Sequence, residues 1–182
     1  MTENVIGKGM FELRENEEIW GLNRRFILFS NALLVNMLDK FQDLLGPVAR
    51  RQIYEVGYSS GKIGGEKMRP IFKGGIEQYT QHVNLTKALG WGAIGEVKYD
   101  GTSGRIVIEY TNTWESGGYR EVHGDKKTDG PICIFSTGLA SGAAEGAFEI
   151  PYEGDEELCT CKGDPVCRFV MTPMGEKRKI IK

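Results

Sequence analysis

Three of the four cysteines of this chain lie close together near its C-terminus. They are Cys159, Cys161 and Cys167, whereas the fourth, Cys133, lies on a separate predicted element upstream. Thiolate sulfur is a soft ligand that suits zinc, and a structural zinc ion takes four ligands in a tetrahedron. The segment Gly163-Asp164-Pro165 supplies a turn that would let Cys159 and Cys167 face each other. The cluster therefore indicates a metal site.

The spacing of the cysteines leaves the complete ligand set open. Cys133 is placed to close over the site, and the remaining position has several candidate donors: Cys161, Asp155, Glu156, Glu157 or a histidine. Two other uses of the thiols also remain open. Free buried cysteines pack as small apolar side chains, and Cys159 with Cys161 could form a redox pair.

The composition limits the classes of protein to which the chain can belong. Its 182 residues, 40% hydrophobic and 26% charged, suit a single globular domain over residues 1–182. A net charge of −2 disfavours binding to nucleic acid or an anionic membrane. No apolar run approaches the roughly 18 residues of a membrane span, and Met1–Met10 shows no leader pattern. We expect a cytoplasmic protein, in which thiols stay reduced and clustered cysteines bind metal.

Helical patterns dominate the first half of the chain. Ser30-Asn31 is a helix-cap signal, and the apolar residues that follow repeat at helical spacing: Leu34, Met37, Leu38, Phe41, Leu44 and Leu45. Gly46-Pro47 separates this helix from the next, because proline suits a first helical turn. The predicted helices are Ala32–Leu45, Pro47 to about Met68, and Gly75–Leu89.

The period changes in the second half, where alternating residues predict strands. The predicted strands of the whole chain are Phe11–Arg14, Arg25–Phe29, Ala93–Tyr99, Arg105–Tyr110, Glu149–Cys159 and Val166–Met171. A further helix is predicted over Pro131–Phe148, and the tail from Gly175 is expected to be a frayed end. The fold class is therefore α+β, with helices packed on a small antiparallel sheet.

Two of the predicted helices carry a glycine at every fourth position. One helix has Gly57, Gly61 and Gly65, and the other has Gly138, Gly142 and Gly146. Glycine within a helix costs roughly 0.5–1 kcal/mol relative to alanine, so each series marks a bare strip that something approaches closely. Helix–helix packing is the simplest explanation, and contact with a ligand or a second subunit is the alternative.

From Asn112 onward, the order of rare residues resembles a known family. The matching elements are Asn112-Thr113-Trp114-Glu115, His123, Gly130-Pro131-Ile132-Cys133, Gly138 with Ser141-Gly142, and Glu156, Cys159, Gly163-Asp164 and Cys167-Arg168. They resemble the 4-vinyl reductase domain, a family of hydrocarbon-binding proteins. They are particularly similar to the zinc-containing sensor domains of phenol-responsive transcriptional activators. The match covers the last third of the chain well and the helical first half more loosely.

The resemblance implies both a fold and a ligand set. The fold is that of the Bet-type subunits of vesicle-tethering complexes, shared with NO-signalling and Golgi-transport ligand-binding domains, and usually forms a homodimer. The implied ligands of a structural zinc ion are Cys133, Glu156, Cys159 and Cys167, with Cys161 outside the set. Three thiolates and one carboxylate form a closed shell, as in a structural site. The ion would join the Cys133 helix to the terminal strands.

The resemblance also implies an apolar pocket for an aromatic ligand. Trp114 takes the position of a pocket tryptophan, with a role in the core as the alternative. From the placement of the predicted elements, we add Trp91, Tyr110 and Phe135 to the lining.

The chain departs from the phenol sensors in this pocket, and the positions after Cys133 are also less aromatic than in those sensors. The histidine that binds the phenol hydroxyl has no clear counterpart, so we expect a ligand other than simple phenol. His82 is expected at the surface or half-buried, and His123 matches a family position without an assigned role.

Three functions remain open at this stage. The first is a sensor or carrier domain for an apolar or aromatic small molecule, which signals through a partner because the chain has no ATPase loop or helix-turn-helix pattern. The second is a reductase or accessory protein acting on a tetrapyrrole vinyl group, although no dinucleotide fingerprint and no base–nucleophile pair is present. The third is a tethering-type scaffold with a lipid-filled pocket. We predict the first and do not expect an enzyme.

Overall fold

The computed structural model describes residues 11–14, 17–21 and 24–175. The helices in these ranges are α1 (Asn31–Leu45), α2 (Val48–Phe72), α3 (Gly75–Ala88), α4 (Trp114–His123) and α5 (Ile134–Phe148). The strands are β1 (Phe11–Leu13), β2 (Ile19–Gly21), β3 (Arg24–Phe26), β4 (Gly92–Tyr99), β5 (Ile106–Thr113), β6 (Tyr152–Leu158) and β7 (Cys167–Pro173). Met1–Met10 and the basic part of the predicted frayed tail, from Lys177, lie outside the described residues. Among the helices of the described ranges, none is long and apolar enough to cross a membrane.

The main sheet is antiparallel, with strand order β4-β5-β7-β6. In β5, Ile106, Ile108 and Tyr110 are buried, whereas Val107 and Glu109 are only partly buried. This alternation places the first three residues on the face that packs against the helices, as the sequence predicts. A smaller antiparallel sheet, with order β1-β2-β3, precedes α1. The predicted α+β fold is confirmed.

Helix α5 lies between α2 and the sheet, and it is buried along most of its length. Where β6 crosses α5, the helix presents the small side chains of Thr137 and Ser141. A Cβ atom on Gly154 of β6 would lie 3.2 Å from Thr137 of α5. The N–H of Gly154 donates a hydrogen bond to Tyr54 Oη of α2, at 2.9 Å, so that the sheet edge is joined to both helices.

The two glycine series face each other where α2 crosses α5. A Cβ atom added at Gly61 would lie 2.8 Å from the backbone nitrogen of Ala143, and one at Gly146 would lie 2.7 Å from Cα of Gly65. Real Cβ atoms do not approach backbone atoms this closely. The helices are therefore in backbone-to-backbone contact, and the prediction that the glycines serve helix packing is confirmed for this pair.

Polar side chains secure the same crossing at its margins. Lys62 of α2 pairs with Glu145 of α5 at 2.8 Å, and Tyr58 donates a hydrogen bond to the other oxygen of the Glu145 carboxylate. Gln78 Nε2 of α3 donates to the carbonyl oxygen of Gly65 at 2.7 Å. Hydrogen bonds of this kind contribute about 1 kcal/mol each.

Several predicted boundaries differ from the structure. The sequence analysis missed α4, which begins with a capping box between Thr113 and Ser116. The helix predicted from Pro131 begins three residues later, because Cys133 is its N-cap and has non-helical backbone angles. Helix α2 passes through Pro70 and ends only where Lys73 adopts a left-handed conformation, with φ of 61°. The short strand β2 was also not predicted.

We predict that Gly61→Ala destabilises the protein by at least about 2 kcal/mol, because the added methyl group forces α2 away from the backbone of α5. This loss is opposed by the roughly 1 kcal/mol that alanine gains over glycine in helix propensity. Gly95→Ala in β4 is the control, since its nearest neighbour would be an ordinary 3.6 Å away. Urea denaturation followed by circular dichroism measures both free energies of unfolding. Equal stability of the two variants would contradict the close crossing.

Candidate metal centre and ligand cavity

The side chains of Cys133, Glu156, Cys159 and Cys167 converge at one point in the core. One ligand atom from each lies within 4.8 Å of the others, and all four residues are buried. Cys133 comes from the N-cap of α5, whereas the other three come from β6, from the turn after it and from the start of β7. The structure thus brings together the four residues that the resemblance implied.

The turn after β6 is built to present Cys159. Its backbone N–H donates to Asp164 Oδ2 at 2.8 Å, and its carbonyl accepts from the N–H of Lys162 at 3.0 Å. Gly163 has φ of 107°, a conformation that residues with a Cβ rarely adopt. The predicted turn at Gly163-Asp164-Pro165 is therefore present, with Gly163 providing the positive φ and Asp164 the hydrogen bond to Cys159.

The two carboxylate oxygens of Glu156 differ in their surroundings. Oε2 accepts a hydrogen bond from the backbone N–H of Cys133 at 2.7 Å. Oε1 is buried and has no hydrogen-bond partner within the described structure. An unpaired buried carboxylate oxygen is costly. Its position beside three thiols is the one that a metal ligand would occupy.

Hydrogen-bond donors also surround the sulfur atoms. Thr113 Oγ1 lies 3.1 Å from Cys133 Sγ, and the N–H of Thr160 donates to Cys167 Sγ at 3.4 Å. Donors in this outer layer are typical of thiolate ligands, because they orient the sulfur and spread its negative charge. The residues present fit a divalent cation with a preference for sulfur.

The pKa shifts of the clustered residues also favour a bound cation. Burial raises the pKa of Glu156 to about 9, with a further contribution from negative charge on Cys159. Burial also raises the pKa of Cys133, whereas hydrogen bonds from Cys133, then from Cys161 and Cys167, lower the pKa of Cys159. Four acidic groups cannot all be deprotonated at one buried point without a compensating positive charge. A divalent ion would provide that charge and release the protons.

Cys161 lies beside this cluster but outside the set of four. Its Sγ atom faces the carbonyl oxygen of Ser116 at 3.6 Å and the guanidinium of Arg120 at 4.0 Å. Hydrogen bonding to Cys159, followed by burial, raises the pKa of the Cys161 thiol. These contacts place the Cys161 thiol against α4, on the side of Cys159 away from the other three clustered residues.

A second cluster consists of aromatic rings next to the metal centre. The ring of Trp91 lies 6.4 Å from that of Trp114 and 5.8 Å from that of Phe135. Trp114 and Phe135 meet edge to face at 5.9 Å. The backbone also joins two of them, because the N–H of Trp114 donates to the carbonyl of Trp91 at 2.8 Å. Three of the four predicted pocket residues therefore pack together.

A small cavity adjoins this cluster. Its interior has room for about one water molecule, with a volume of about 20 Å³. Trp91 and Tyr110 line it, whereas Trp114 and Phe135 are not part of the lining. The remaining lining comes from α3 and α5: Tyr79, His82, Val83, Thr86, Ser136, Leu139, Ala140 and Ala143.

The sequence analysis was wrong about His82, which is buried with 8% of its surface exposed. Burial lowers the pKa of His82 to about 4, so the imidazole is neutral at pH 7. His82 Nδ1 and Tyr79 Oη, which both belong to the lining residues, have no hydrogen-bond partner among the described groups. The lining residues of α3 are spaced so that they share one face of the helix: Tyr79, His82, Val83 and Thr86. This spacing was the sequence signal that could have identified His82 as buried.

The metal cluster and the aromatic cluster share two short segments. Glu115 follows Trp114, and its carboxylate accepts hydrogen bonds from the N–H groups of Phe135, at 2.9 Å, and Ser136. Burial raises the pKa of Glu115 to about 8. Glu115 thus caps the free N–H groups of α5, one turn away from Cys133. The sequence analysis assigned Glu115 no role beyond its place in the motif.

Neither cluster includes His123. Its Nε2 atom lies 2.9 Å from Asp39 Oδ2, so it links the end of α4 to α1 at the surface. A larger cleft of about 330 Å³ opens beside this pair, between α1, α4 and residues 126–132. Its walls carry both signs of charge, including Lys126, Lys127 and Asp129.

The chain is similar to known proteins at low sequence identity. No family model matches the sequence. An uncharacterized protein of Methanocaldococcus jannaschii is 25% identical over 139 residues, which are 76% of this chain and 63% of that protein. The chain therefore spans less than two thirds of the length of this relative.

Solved structures are similar over most of the chain. The phenol-responsive sensory domain of the transcription activator PoxR, with phenol, has a TM-score of 0.70 and 21% identity over 90% of this chain and 85% of that one. A trafficking protein particle complex subunit 3 from Naegleria fowleri, covalently bound to palmitic acid, has a TM-score of 0.52 and 13% identity over 82% and 98%. A vinyl-4-reductase family protein from Methanocaldococcus jannaschii has a TM-score of only 0.46 and 16% identity over 82% and 98%. The first two of these structures share the fold of this chain.

We predict that the neutral, buried His82 makes the protein less stable in acid. The unfolded chain protonates this histidine below its ordinary pKa of 6.5, whereas the folded protein does so only near 4. Stability is therefore full above pH 6.5 and falls as the pH is lowered toward 4, by about 2 kcal/mol at pH 4.5 for this residue. Urea denaturation of the wild type and His82→Gln at pH 7 and 4.5 measures the difference. The variant should lose less stability, and His123→Gln should not show this protection.

Proposed function

We propose that this chain is a sensor or carrier domain that binds a neutral apolar or aromatic small molecule and contains a structural zinc ion. The observation that supports this function best is the cavity beside the aromatic cluster, where the buried Tyr79 hydroxyl and His82 Nδ1 lack partners. Groups of this kind are rare in folded proteins unless a water or a ligand pairs with them. A ligand that carries a hydroxyl or carbonyl group would satisfy them.

The cavity lining favours an uncharged ligand. Among the described residues, the lining includes no lysine, arginine, aspartate or glutamate, and its histidine is neutral at pH 7. A buried anion such as a carboxylate would find no compensating charge there and would pay a large desolvation cost. Aromatic rings in the walls, from Trp91 and Tyr110, provide contact area for a flat ligand.

The cavity is too small for the proposed ligand, so binding would require the structure around the cavity to open. A volume of about 20 Å³ admits a water molecule but not an aromatic ring. Helix α3 carries Tyr79 and His82, and glycines with positive φ lie at both of its ends: Gly74 and Gly75 at the start and Gly90 after its last residue. Movement of α3 at these glycines would enlarge the cavity, and the displaced helix would then present an altered surface to a partner protein.

The proposed zinc ion would be held by Cys133, Glu156, Cys159 and Cys167. When bound, it would supply charge compensation and a rigid junction rather than an activated water, since four protein ligands leave no open position. The chain's own contribution is to hold the start of α5 against β6 and β7. Because Phe135 and Ser136 follow Cys133 directly, the same junction would position one wall of the cavity.

A lipid-binding scaffold is the second candidate function. The observation in its favour is the likeness to a trafficking subunit that is covalently bound to palmitic acid, which concerns the fold alone. An acyl chain needs a long apolar tunnel, whereas the cavity is short and has polar groups at its wall. A reductase or accessory protein acting on a tetrapyrrole vinyl group would need a still larger opening. Native mass spectrometry of the purified chain separates these functions through the mass of any molecule that purifies with it.

The zinc proposal predicts a clear difference between two neighbouring cysteines. Cys159→Ser should lose the metal, whereas Cys161→Ser should retain one ion per chain, because its thiol faces Ser116 and Arg120. Glu156→Gln should weaken zinc retention against a chelator by at least about tenfold, in line with the loss of a charged donor. Elemental analysis after dialysis gives the zinc content, and circular dichroism checks the fold. Zinc loss in Cys161→Ser with full retention in Glu156→Gln would move the fourth position to Cys161.

The ligand proposal predicts opposite effects of two tyrosine substitutions. Tyr79→Phe removes a hydroxyl without a described partner, so stability should be equal or higher, while affinity for 2-naphthol should fall about fivefold. Tyr152→Phe is the control, because its hydroxyl donates to the carbonyl of Gly104 at 3.0 Å and does not line the cavity. It should lose stability and keep its affinity. Tryptophan fluorescence titration with 2-naphthol, and phenol for comparison, measures binding. Unchanged affinity of Tyr79→Phe would remove Tyr79 from the ligand site.

A further inference from the structure

The larger cleft is a second opening in the fold, apart from the cavity beside the aromatic cluster. It lies between α1, α4 and residues 126–132, which we call the α4–α5 loop, and Arg50 at the start of α2 also lines it. Its volume of about 330 Å³ lies within the roughly 300–1,000 Å³ of sites for small molecules. Within the described part of the chain, the cleft and the cavity share no lining residue. Because their walls are separate, an occupant of the cleft need not resemble the ligand of the cavity.

Hydrogen bonds hold the α4–α5 loop in place as one wall of the cleft. The N–H of Thr128 donates to the carbonyl of Cys161 at 3.0 Å, and the Thr128 hydroxyl donates to the carbonyl of Gly130 at 2.8 Å. Arg50 Nη2 donates to the carbonyl of Pro131 at 2.9 Å. These bonds join the loop to the cysteine turn and to α2, so the wall belongs to the packed fold. The cleft is thus formed before any ligand binds, as sites for small molecules usually are.

Two of the three acidic side chains in the lining are already engaged by other groups of the chain. Asp39 Oδ2 lies 2.9 Å from His123 Nε2. The carboxylate of Glu115 is buried and accepts hydrogen bonds from backbone N–H groups in the first turn of α5. Asp129, the third, is exposed, and its side chain has no hydrogen bond or ion pair to the described groups. Asp129 is therefore the one acidic side chain of the lining whose charge is not compensated within the described structure.

The cations of the lining are not neutralised in this way. They are Arg50, Lys126 and Lys127. None of them forms an ion pair with a described carboxylate, and the hydrogen bond of Arg50 goes to a backbone carbonyl. The ammonium group of Lys127 lies beside Gly163, where an added Cβ atom would be 2.8 Å from Nζ. Three cations therefore share the cleft with the single uncompensated charge of Asp129, and the lining has an excess of positive charge.

The lining also offers apolar contact. Leu38 of α1, Tyr119 of α4 and Ile132 of the α4–α5 loop are only partly buried and line the cleft. An inorganic ion would leave these surfaces in water, whereas a molecule with an apolar body would cover them. Arginine binds carboxylates through paired N–H donors, and lysine adds a point charge. The combination fits an organic acid with an anionic group at one end and an apolar body at the other.

We propose that this cleft is a second binding site, which takes an organic acid. The carboxylate of the ligand lies among the three cations, and its apolar body packs on Tyr119 and Ile132. Charge selects this ligand, in contrast to the neutral molecule proposed for the cavity. The inference does not depend on the ligand of the cavity or on the metal, because it rests on a separate set of residues.

The first test compares two probes of the same shape and different charge. Isothermal titration calorimetry of the full chain with 2-naphthoate and with 2-naphthamide gives both affinities. The carboxylate should bind at least about tenfold more tightly than the amide, as expected for charge-assisted hydrogen bonds. Its affinity should also fall when sodium chloride is raised from about 50 to 500 mM, because salt screens charges at an open cleft.

The second test changes the charge of the lining in both directions. The double variant Lys126→Gln/Lys127→Gln should bind 2-naphthoate at least about tenfold more weakly, whereas Asp129→Asn should bind it about twofold more tightly. Lys67→Gln/Lys98→Gln is the matched control, because it removes the same net charge from two exposed residues outside the cleft. Its affinity should be that of the wild type. Circular dichroism checks that each variant is folded.

Three results would overturn the proposal. The first is a wild-type chain that does not bind 2-naphthoate or binds it no better than 2-naphthamide. The second is an equal loss of affinity in the two lysine double variants, which would reflect the net charge of the protein rather than a site. The third is 2-naphthoate binding that Tyr79→Phe weakens and Lys126→Gln/Lys127→Gln does not, because the acid would then occupy the cavity instead of the cleft.

Discussion

The backbone contact between α2 and α5 is the constraint on which the rest of the structure depends. Gly61 and Gly65 of α2 and Gly142 and Gly146 of α5 each face the backbone of the other helix with no room for a Cβ atom. Glycine lowers the intrinsic stability of both helices, by roughly 1 kcal/mol per residue. Close packing of two backbones must offset this cost through dispersion and weak Cα–H···O contacts. The result is one well-defined position for α5 between α2 and the sheet.

That position determines both clusters of the site. The first turn of α5 carries Phe135 and Ser136 toward the aromatic rings, and its N-cap, Cys133, meets the residues of β6 and β7. Glu115 holds the free N–H groups of this turn. Cys133 and Phe135 are two residues apart in the chain. The cysteine cluster and the aromatic cluster therefore share the first turn of α5.

A few buried polar side-chain atoms lack hydrogen-bond partners within the described structure. Most buried polar groups are paired, yet five buried side-chain atoms are not paired within the described structure: Glu156 Oε1, Tyr79 Oη, His82 Nδ1, Trp114 Nε1 and Arg69 Nε. Unpaired buried groups each cost about 1–3 kcal/mol. Glu156 belongs to the cysteine cluster, Tyr79 and His82 line the cavity and Trp114 belongs to the aromatic cluster, whereas Arg69 lies at the margin of the α2–α5 crossing. Local destabilisation is thus concentrated where an ion and a ligand would remove it.

The sequence alone determined most of the elements and, through the resemblance, the four residues that cluster in the core, because local periodicity and a series of rare residues are properties of the chain order. It predicted α5 and the strands of the main sheet, and the resemblance implied the four clustered residues. The tertiary structure decided which atoms face each other. It put His82 in the core, left Met37 and Phe41 at the surface, and turned Cys161 toward α4. These outcomes depend on how distant segments pack, and helical spacing shows that residues share a face but not what that face meets.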